Sequence, residues 1–385
     1  MKKITLFINS LTSGGAERVL SVIATELVAQ NYQVELLCLE KDNAYTLPKE
    51  VNIVYLSNLN KHDSSIKKFL YLPYLALKLK SYVKAHNISL IQSHIYRANF
   101  TNILAKLFGA KHQVQVVEVT SINNLKVGGL SKKINFLLVK FLYKHADLIV
   151  FKAQKMREEF LNNFPKSSNN IVINNPYNIE QIENLAKEPV NDFEFKNEKK
   201  YIVTVGRLSS EKRLLKLIES IEKLEEHIEL LIIGEGTQKE ELLAFVEEKK
   251  LEKRIHLLGK KENPFKYIKN SDIFVLASEG EGFPNVLVEA MICNTAVIST
   301  DCISGPREIL APKSDISFQL KENIELAQNG ILYPVDDIEA LQKAIMLLLE
   351  NAELKKEYEK KAKEQTKAYA LDKIIEKYKG ALCVE

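Results

Sequence analysis

Hydrophobic and polar positions along the chain alternate between two periodicities. Apolar runs rich in β-branched and aromatic residues predict strands, beginning with residues 4–8 and 32–39. The segment between them, 17–30, has apolar residues three and four positions apart and predicts a helix. Further strands are predicted at residues 51–56, 90–93, 113–117 and 147–151. Strands separated by helices favour a parallel, doubly wound sheet, so the predicted fold class is α/β.

A polar interval at residues 186–200 interrupts the alternation and predicts a linker. The pattern then restarts and finishes in helices, the last of them a long charged helix over 354–379. Five strands are predicted in this second part, at residues 201–205, 228–233, 255–258, 273–277 and 296–299. The 385 residues are enough for two or three domains. We predict two Rossmann-like domains, at 1–185 and 200–360, and a C-terminal helical segment at 361–385.

The strands of the second part end in loops of glycine and other small residues. Gly206 follows the first strand, Gly234 and Gly236 follow the second, and Gly259 follows the third. The ligand crevice of an open α/β sheet lies at the carboxyl ends of its strands. These loops are therefore predicted to line one binding cleft.

The stretch 278–291 connects a predicted strand to a predicted helix and reads Ser-Glu-Gly-Glu-Gly-Phe-Pro-Asn-Val-Leu-Val-Glu-Ala-Met. Glu281 lies on the turn, and Glu289 lies about two helical turns into the helix. In one interpretation, the two carboxylates contact opposite ends of an elongated ligand. In the other, Glu281 caps the helix and Glu289 is a solvated surface charge.

Two other places in the sequence suit an anion. Arg207 and Lys212 lie beside the predicted start of a helix, where unpaired N–H groups bind phosphate. Gly14 and Gly15 open the first helix directly after the first strand and let the backbone approach an anion closely. The alternatives are a capped helix with exposed basic residues and a flexible loop.

Charge is distributed unevenly along the chain. Residues 1–185 contain 23 lysines and arginines against 13 acidic residues, whereas the remainder contains 31 against 37. In the first part, basic residues alternate with apolar and aromatic ones at 66–80 and 131–144. Helices of this kind bind anionic membrane surfaces, although helices packed on a sheet show the same pattern. No nucleic-acid recognition motif accompanies the charge, so nucleic acid is not an expected partner.

The rest of the composition argues against a metalloprotein and a membrane-spanning protein. The cysteines Cys38, Cys293, Cys302 and Cys383 lack metal-ligand spacing, which favours a reducing compartment. There is no apolar run of about 18 residues. We therefore expect a cytoplasmic protein.

Five motifs, in this order and spacing, resemble a known family. They are Ser-Gly-Gly-Ala-Glu-Arg (13–18), Val-Gly-Arg-Leu-Ser-Ser-Glu-Lys (205–212), Gly-Glu-Gly (234–236), Glu-Gly-Phe-Pro-Asn-Val-Leu-Val-Glu-Ala-Met (281–291) and Ser-Gly-Pro-Arg-Glu-Ile (304–309). The set is similar to the retaining nucleotide-sugar glycosyltransferases of family 4, in particular to bacterial enzymes that extend lipid-linked oligosaccharide, lipopolysaccharide or capsule glycans. The resemblance implies the GT-B fold: an acceptor domain, a donor domain, a cleft between them and a last helix that crosses back.

The resemblance also implies roles for individual residues. Arg207 and Lys212 would hold the diphosphate of a UDP- or GDP-sugar, and Glu289 would bind the ribose. Glu281 would face the sugar. The sequence has no Asp-x-Asp motif, so protein cations would take the place of a metal ion, and no resident cofactor is expected. The other residues implied at the donor are Gly14, Gly15, Gly234, Gly236, Gly259, Lys260, Gly282, Phe283, Pro284 and Asn285.

The sequence departs from the family pattern on the acceptor side. Many relatives have a histidine after the strand that corresponds to 113–117, and this chain has Glu118 there. His94 is the nearest histidine at a strand end, although a single histidine in such a place is often a structural hydrogen-bonding residue. Glu118 could orient the donor sugar or the acceptor. Glu118 and His94 are thus further catalytic candidates, beside Arg207, Lys212 and Glu281.

The expected function is transfer of a hexose or N-acetylhexosamine from a UDP- or GDP-sugar. The expected acceptor is a lipid-linked, lipopolysaccharide or capsule glycan at the inner face of the cytoplasmic membrane. One alternative is a nucleotide-sugar epimerase or hydrolase on the same fold. The other is a non-catalytic protein that binds nucleotide or membrane. Arg207 and Lys212, together with the 281–289 stretch, favour the transferase.

Overall fold

The computed structural model describes residues 3–12, 14–60, 62–126, 129–165 and 169–382. They form two compact units, the first within residues 1–177 and 371–382 and the second within residues 178–370. The polar interval 186–200 lies inside the second unit. Each unit contains a seven-stranded sheet.

The first unit has a wholly parallel sheet with the strand order β3-β2-β1-β4-β5-β6-β7. Its strands are β1 (Lys3–Ile8), β2 (Gln33–Glu40), β3 (Asn52–Leu59), β4 (Leu90–His94), β5 (Gln113–Glu118), β6 (Leu148–Phe151) and β7 (Asn170–Val172). Its helices are α1 (Gly15–Ala29), α2 (Ser65–Leu70), α3 (Leu72–His86), α4 (Tyr96–Leu107), α5 (Leu130–Leu142), α6 (Gln154–Asn163) and α15 (Leu371–Ala381).

The second unit has the order β10-β9-β8-β11-β12-β14-β13, parallel except for the last pair. Its strands are β8 (Lys200–Val205), β9 (Ile228–Ile233), β10 (Ile255–Gly259), β11 (Ile273–Leu276), β12 (Ala296–Thr300), β13 (Glu325–Leu326) and β14 (Ile331–Tyr333). Its helices are α7 (Ile179–Ala186), α8 (Leu214–Glu222), α9 (Lys239–Glu248), α10 (Phe265–Asn270), α11 (Asn285–Ile292), α12 (Pro306–Leu310), α13 (Ile338–Glu350) and α14 (Ala352–Thr366).

The central strands form because their side chains are buried on both faces of each sheet. All six residues of β9 and all five of β12 are buried. A parallel sheet covered by helices on both sides requires such continuous apolar runs, whereas a half-exposed sheet gives alternation. The α/β prediction with two Rossmann-like sheets is confirmed.

The C-terminal part differs from the prediction of one long helix over 354–379. Helix α14 ends at Thr366, a 3₁₀ turn covers Lys367–Tyr369, and Ala370 is extended. The N–H of Leu371 then donates to the carbonyl of Tyr177 at 2.9 Å, and α15 packs in the first unit with Tyr378 buried. The helical periodicity continues across this break, but the apolar faces of α14 and α15 are buried in different units.

The core of the second unit offers a direct test of this packing. Leu217 on α8 is fully buried, so Leu217→Ala leaves a cavity and is expected to lower the free energy of unfolding by about 2–5 kcal/mol. Leu243 on α9 is 42% exposed, and Leu243→Ala is expected to change the free energy of unfolding by less than about 0.5 kcal/mol. Urea unfolding followed by circular dichroism measures both. Equal effects of the two substitutions would contradict the burial of Leu217 in this core.

Candidate active site

A pocket open to solvent lies at the carboxyl ends of the strands β8, β9 and β11 in the second unit. The strand ends supply an apolar floor, and the loops that follow supply the polar groups. The lining residues are Thr204, Val205, Gly206, Arg207, Leu208, Lys212, Leu214, Ile232, Leu276, Ala277 and Ser278. The structure thus brings two predicted site residues, Arg207 and Lys212, into one pocket.

The two cations of the pocket differ in their pairing. Lys212 ends a 3₁₀ turn, Ser210–Lys212, and its Nζ lies 2.6 Å from Oε1 of Glu281. Arg207 is exposed and makes no hydrogen bond or ion pair within the described part of the chain. Arg213 then adopts φ = 52° before α8 begins, and it pairs with Glu279. The pocket therefore has one neutralised cation and one that is free to bind an anion.

Glu281 is held by its backbone as well as by its side chain. Its N–H donates to the carbonyl of Ile303 at 2.9 Å, and its carbonyl accepts from the N–H of Ser304 at 3.2 Å. Helix α11 starts from Pro284 with no side-chain cap. The interpretation of Glu281 as a helix cap is therefore wrong: its carboxylate is directed to Lys212.

Glu289 lies on α11 and is only 2% exposed. The interpretation of Glu289 as a solvated surface charge is therefore wrong. Before it, Gly282 follows Glu281, Phe283 is buried with its ring 5.3 Å from that of Tyr369, and Asn285 is the first residue of α11. The short loop from Gly282 to Pro284 thus separates the two carboxylates.

Three predicted glycines bring neighbouring loops into backbone contact. A Cβ on Gly234 would lie 1.7 Å from the carbonyl oxygen of Gly206, and a Cβ on Gly236 would lie 2.2 Å from that of Leu208. The N–H of Gly234 also donates to the carbonyl of Gly259, whose φ is +69°. These glycines therefore have a structural reason that is independent of a ligand. Lys260, after Gly259, is exposed.

The glycine pair of the first unit lies at the start of α1. Gly14 is the N-cap and Gly15 the first helical residue, while Ser13 of the same motif lies outside the described residues. The Glu17 carboxylate lies over Gly14, because a Cβ there would approach its Oε2 to 2.2 Å. The Tyr45 hydroxyl donates to the Gly14 carbonyl at 3.0 Å. An anion at this helix start would have to displace the flexible Glu17 side chain.

Glu118 ends β5 in the first unit and is 2% exposed. Burial raises the pKa of Glu118 to about 7, and the hydroxyls of Tyr96 and Tyr143 oppose this rise. Asn99 donates to the Tyr143 hydroxyl at 2.9 Å, which fixes that ring beside the carboxylate. Glu118 is therefore a carboxylate that changes charge near neutral pH.

His94 ends β4 and is buried, with Nε2 at 3.3 Å from Oε1 of Gln92. Burial, together with the nearby Lys152, holds the pKa of His94 well below its usual value, so the ring is neutral. This geometry matches a structural hydrogen-bonding histidine.

Sequence reasoning missed two polar groups at strand ends. Lys152 follows β6 and is buried, which lowers its pKa to about 7, and its Nζ contacts the Tyr378 hydroxyl. The Ser278 hydroxyl is buried in the pocket wall without a hydrogen-bond partner among the described residues. Both residues lie within two positions of the end of an apolar strand, as Glu118 and Arg207 do. The signal that identified those two residues was therefore present for Lys152 and Ser278 as well.

The described ranges contain neither a group of metal ligands nor a helix that could span a membrane. There, no three His, Cys, Asp or Glu side chains group as metal ligands. In the same residues, none of the helices has the length and apolar character to cross a membrane. The described cysteines Cys38, Cys293 and Cys302 are buried free thiols, and Cys383 lies outside the described residues.

Two family models and a relative match this chain over most of its length. The model of the family "Glycosyltransferase Family 4" matches residues 13–181, and that of "Glycosyl transferases group 1" matches residues 187–365. A relative from Campylobacter jejuni is 34% identical over 376 residues, which cover 97% of both chains. It is N-acetylgalactosamine-N,N'-diacetylbacillosaminyl-diphospho-undecaprenol 4-alpha-N-acetylgalactosaminyltransferase.

Solved structures match over the full length at low sequence identity. Sucrose-phosphate synthase from Thermosynechococcus elongatus has a TM-score of 0.80 at 17% identity and covers 100% of both chains. HepE from Anabaena in complex with UDP-glucose has a TM-score of 0.74 at 17% identity, also covering 100% of both chains. These structures show the GT-B fold. Together with the two family models and the Campylobacter relative, they show that the chain belongs to glycosyltransferase family 4 and is a glycosyltransferase.

Proposed function

We propose that this glycosyltransferase moves a hexose or N-acetylhexosamine from a UDP-sugar to a glycan carried on a polyprenyl diphosphate lipid. The observation that carries the proposal is the Lys212–Glu281 pair beside the unpaired Arg207, at the carboxyl ends of the strands. The full-length Campylobacter relative, whose name states transfer of N-acetylgalactosamine to an undecaprenol diphosphate glycan, supports the acceptor class. The UDP-glucose complex of HepE supports a UDP donor over a GDP donor.

The donor diphosphate binds between Arg207 and Lys212 in this proposal. Two fixed cations neutralise the charge that grows on the phosphate as the sugar–phosphate bond breaks, and such stabilisation increases the rate. Glu281 faces the sugar, and Glu289 accepts hydrogen bonds from the ribose. The backbone N–H groups of the loop before α11 complete the contact, except at Pro284, which has none. The remaining donor residues are Gly14, Gly15, Gly234, Gly236, Gly259, Lys260, Gly282, Phe283 and Asn285.

The transfer step needs no metal and no enzymatic nucleophile in this proposal. The anomeric carbon loses its bond to the diphosphate oxygen and gains a bond to the acceptor hydroxyl on the same face. The hydroxyl proton passes to the leaving phosphate. The ionised Glu118 orients the acceptor hydroxyl, and His94 supports the neighbouring strand end.

Two apolar and basic surfaces of the first unit support contact with an anionic membrane. On α2 and α3, Ile66, Leu70 and Leu77 are 51–73% exposed, and on α5 Leu130 and Phe141 are 57–74% exposed. The sequence contains no acidic residue from 64 to 86 or from 126 to 146. Exposed apolar side chains among lysines are the pattern of helices that lie on anionic bilayers. A peripheral position at the inner membrane face, where the acceptor lipid is anchored, follows from this proposal.

Substitution of the pocket cations tests the donor assignment. Lys212→Ala removes a group that stabilises the leaving phosphate, and we expect kcat to fall by about 10²- to 10³-fold, with a comparable loss for Arg207→Ala. The assay supplies UDP-sugars and a prenyl-diphosphate disaccharide and detects the elongated product by mass spectrometry.

Lys216→Ala, on the exposed side of α8 in a pair with Glu219, is the matched control and should leave kcat unchanged. Unchanged turnover in either pocket variant would refute the phosphate assignment. UDP release without glycan product would favour a hydrolase.

A pH profile tests the role of Glu118. Since burial raises the pKa of Glu118 to about 7, its carboxylate form, and with it kcat/KM, is expected to rise through that pH in the wild type. Glu118→Gln should lack this rise. Below the unfolded-state pKa of about 4.5, Glu118 is protonated in both the folded and the unfolded protein. As the pH rises through about 7, the buried group must ionise, and the free energy of unfolding of the wild type falls relative to that of Glu118→Gln. Glu118→Gln should therefore be the relatively more stable protein at high pH.

A second buried glutamate provides the control for this profile. Glu159 is 5% exposed, bonded to the hydroxyl of Ser121, and its pKa is also raised by burial. Glu159→Gln should keep the rise in kcat/KM. If Glu118→Gln keeps it as well, Glu118 has only a structural role.

Vesicle binding tests the membrane surfaces. The protein is expected to bind vesicles of phosphatidylglycerol, and this binding should weaken steeply as salt rises, because salt screens exposed charges. The double substitution Ile66→Glu with Leu70→Glu should reduce binding at least about 10-fold, whereas Leu243→Glu, at an exposed leucine of the second unit, should not. Co-sedimentation measures the bound fraction. Binding that is absent or insensitive to salt would refute the membrane contact.

A further inference from the structure

The guanidinium of Arg307 is buried and holds two carboxylates. Arg307 lies on α12 and is 5% exposed. Its Nε and Nη2 donate to Asp301 at 3.0 and 2.6 Å, and Nη2 also donates to Glu325 at 2.8 Å. Its Nη1 donates to the Ser314 hydroxyl at 3.2 Å. Arg307 and Asp301 are buried, whereas the Glu325 side chain is 29% exposed. Desolvating two charged groups is costly, so the buried pair needs its hydrogen bonds to be tolerated.

Asp301 and Arg307 lie on either side of the short loop that follows β12. The Asp301 N–H donates to the Tyr333 carbonyl at 2.7 Å, and its carboxylate also accepts from the N–H of Leu320 at 2.7 Å. The arginine thus closes a turn whose first residue is already fixed to the neighbouring strand. The loop between the two charges is therefore held at both ends.

This same loop holds the backbone of Glu281. Ile303 accepts from the N–H of Glu281, and Ser304 donates to the Glu281 carbonyl from both its N–H and its hydroxyl, each at 3.2 Å. The Ser304 hydroxyl also lies 3.2 Å from the Gly282 carbonyl. Gly305 leaves no space between the loops, since a Cβ there would lie 2.6 Å from the carbonyl oxygen of Gly282. A displacement of the loop after β12 is therefore passed directly to Glu281.

We propose that Arg307 is a positioning residue that aligns Glu281, and through it Lys212, for donor turnover. This inference rests on the proposed function. The bidentate bond to Asp301 fixes the loop, and the loop fixes the backbone on both sides of Glu281. The Glu281 carboxylate then holds the Lys212 ammonium in the place where the donor diphosphate takes it over. Arg307 itself is buried and is not among the residues that line the pocket. Its effect on catalysis is indirect and depends on Glu281.

The test is a double-mutant cycle between Arg307 and Glu281. Arg307→Lys keeps the charge and loses the planar fork. We expect it to lower kcat at least about 10-fold, because a small misplacement of catalytic groups is costly. In a Glu281→Gln background the same substitution is expected to lower kcat by less than about 2-fold, because the alignment it removes is no longer used. The same non-additivity is expected in the Kd for UDP, measured by calorimetry, so the result does not depend on the acceptor.

Two further variants separate positioning from stability. Arg254→Lys replaces another arginine of the second unit, which donates to four backbone carbonyls away from the pocket, and it should lower Tm while kcat stays within about 2-fold. Ser304→Ala removes only the hydroxyl contacts to Glu281 and Gly282. It should lower kcat in the wild-type background and have a smaller effect in the Glu281→Gln background. It replaces Arg307→Lys in the cycle if that variant does not fold.

The outcomes distinguish this inference from the proposed function. Additive losses in the cycle, or full activity in both Arg307→Lys and Ser304→Ala, overturn the positioning role and leave the donor assignment intact. Full activity in Glu281→Gln alone overturns the role of Glu281 in the proposed function and the positioning role together.

Discussion

The parallel pairing of buried strands is the constraint on which the rest of this structure depends. A parallel strand must be followed by a crossover before the chain can pair again, so the ends of successive strands collect at one edge of the sheet. In the second unit β8 pairs with both β9 and β11, which puts the loops after Val205, Ile233 and Leu276 side by side. The pocket is therefore built from segments that are far apart in sequence, and its geometry comes from the sheet.

The apolar pattern predicted the strands of this sheet well because burial on both faces leaves a strong signal. Residues 228–233 are a continuous apolar run apart from Glu229, and the structure has β9 at the same bounds. The signal fails for short edge strands: β7 and β13 have three and two residues and bury little. It also fails at Ala370, since periodicity reports that a helix has an apolar face but not which unit covers it.

The site was predictable as a set of residues and not as a set of contacts. Strand-end position and charge identified Arg207, Lys212 and Glu281, but the contact between Lys212 and Glu281 depends on β8 lying next to β11, which the order of strands along the chain does not reveal. Glu289 is buried because the residues around it on α11 are buried as well, so the usual rule that a helical carboxylate faces solvent does not apply. Gly234 is the opposite case. It is predicted to lie at the ligand, but a glycine is required there because a Cβ would clash with the carbonyl oxygen of Gly206.

Two ion pairs in the second unit differ in burial, and the difference agrees with their positions relative to the pocket. Lys212 and Glu281 have side chains 23% and 13% exposed, and partly solvated pairs of this kind contribute about 0–1 kcal/mol to stability. An incoming diphosphate can take over Lys212 at little cost. Arg307 and Asp301 are 6% and 2% exposed, and breaking a buried pair by removing one partner costs about 3–5 kcal/mol. The shallow pair is exchangeable and lies where the ligand binds, whereas the deep pair is permanent and lies behind the loop that Glu281 contacts. A rigid loop beneath an exchangeable pair lets Lys212 change partners while the backbone of Glu281 keeps its position.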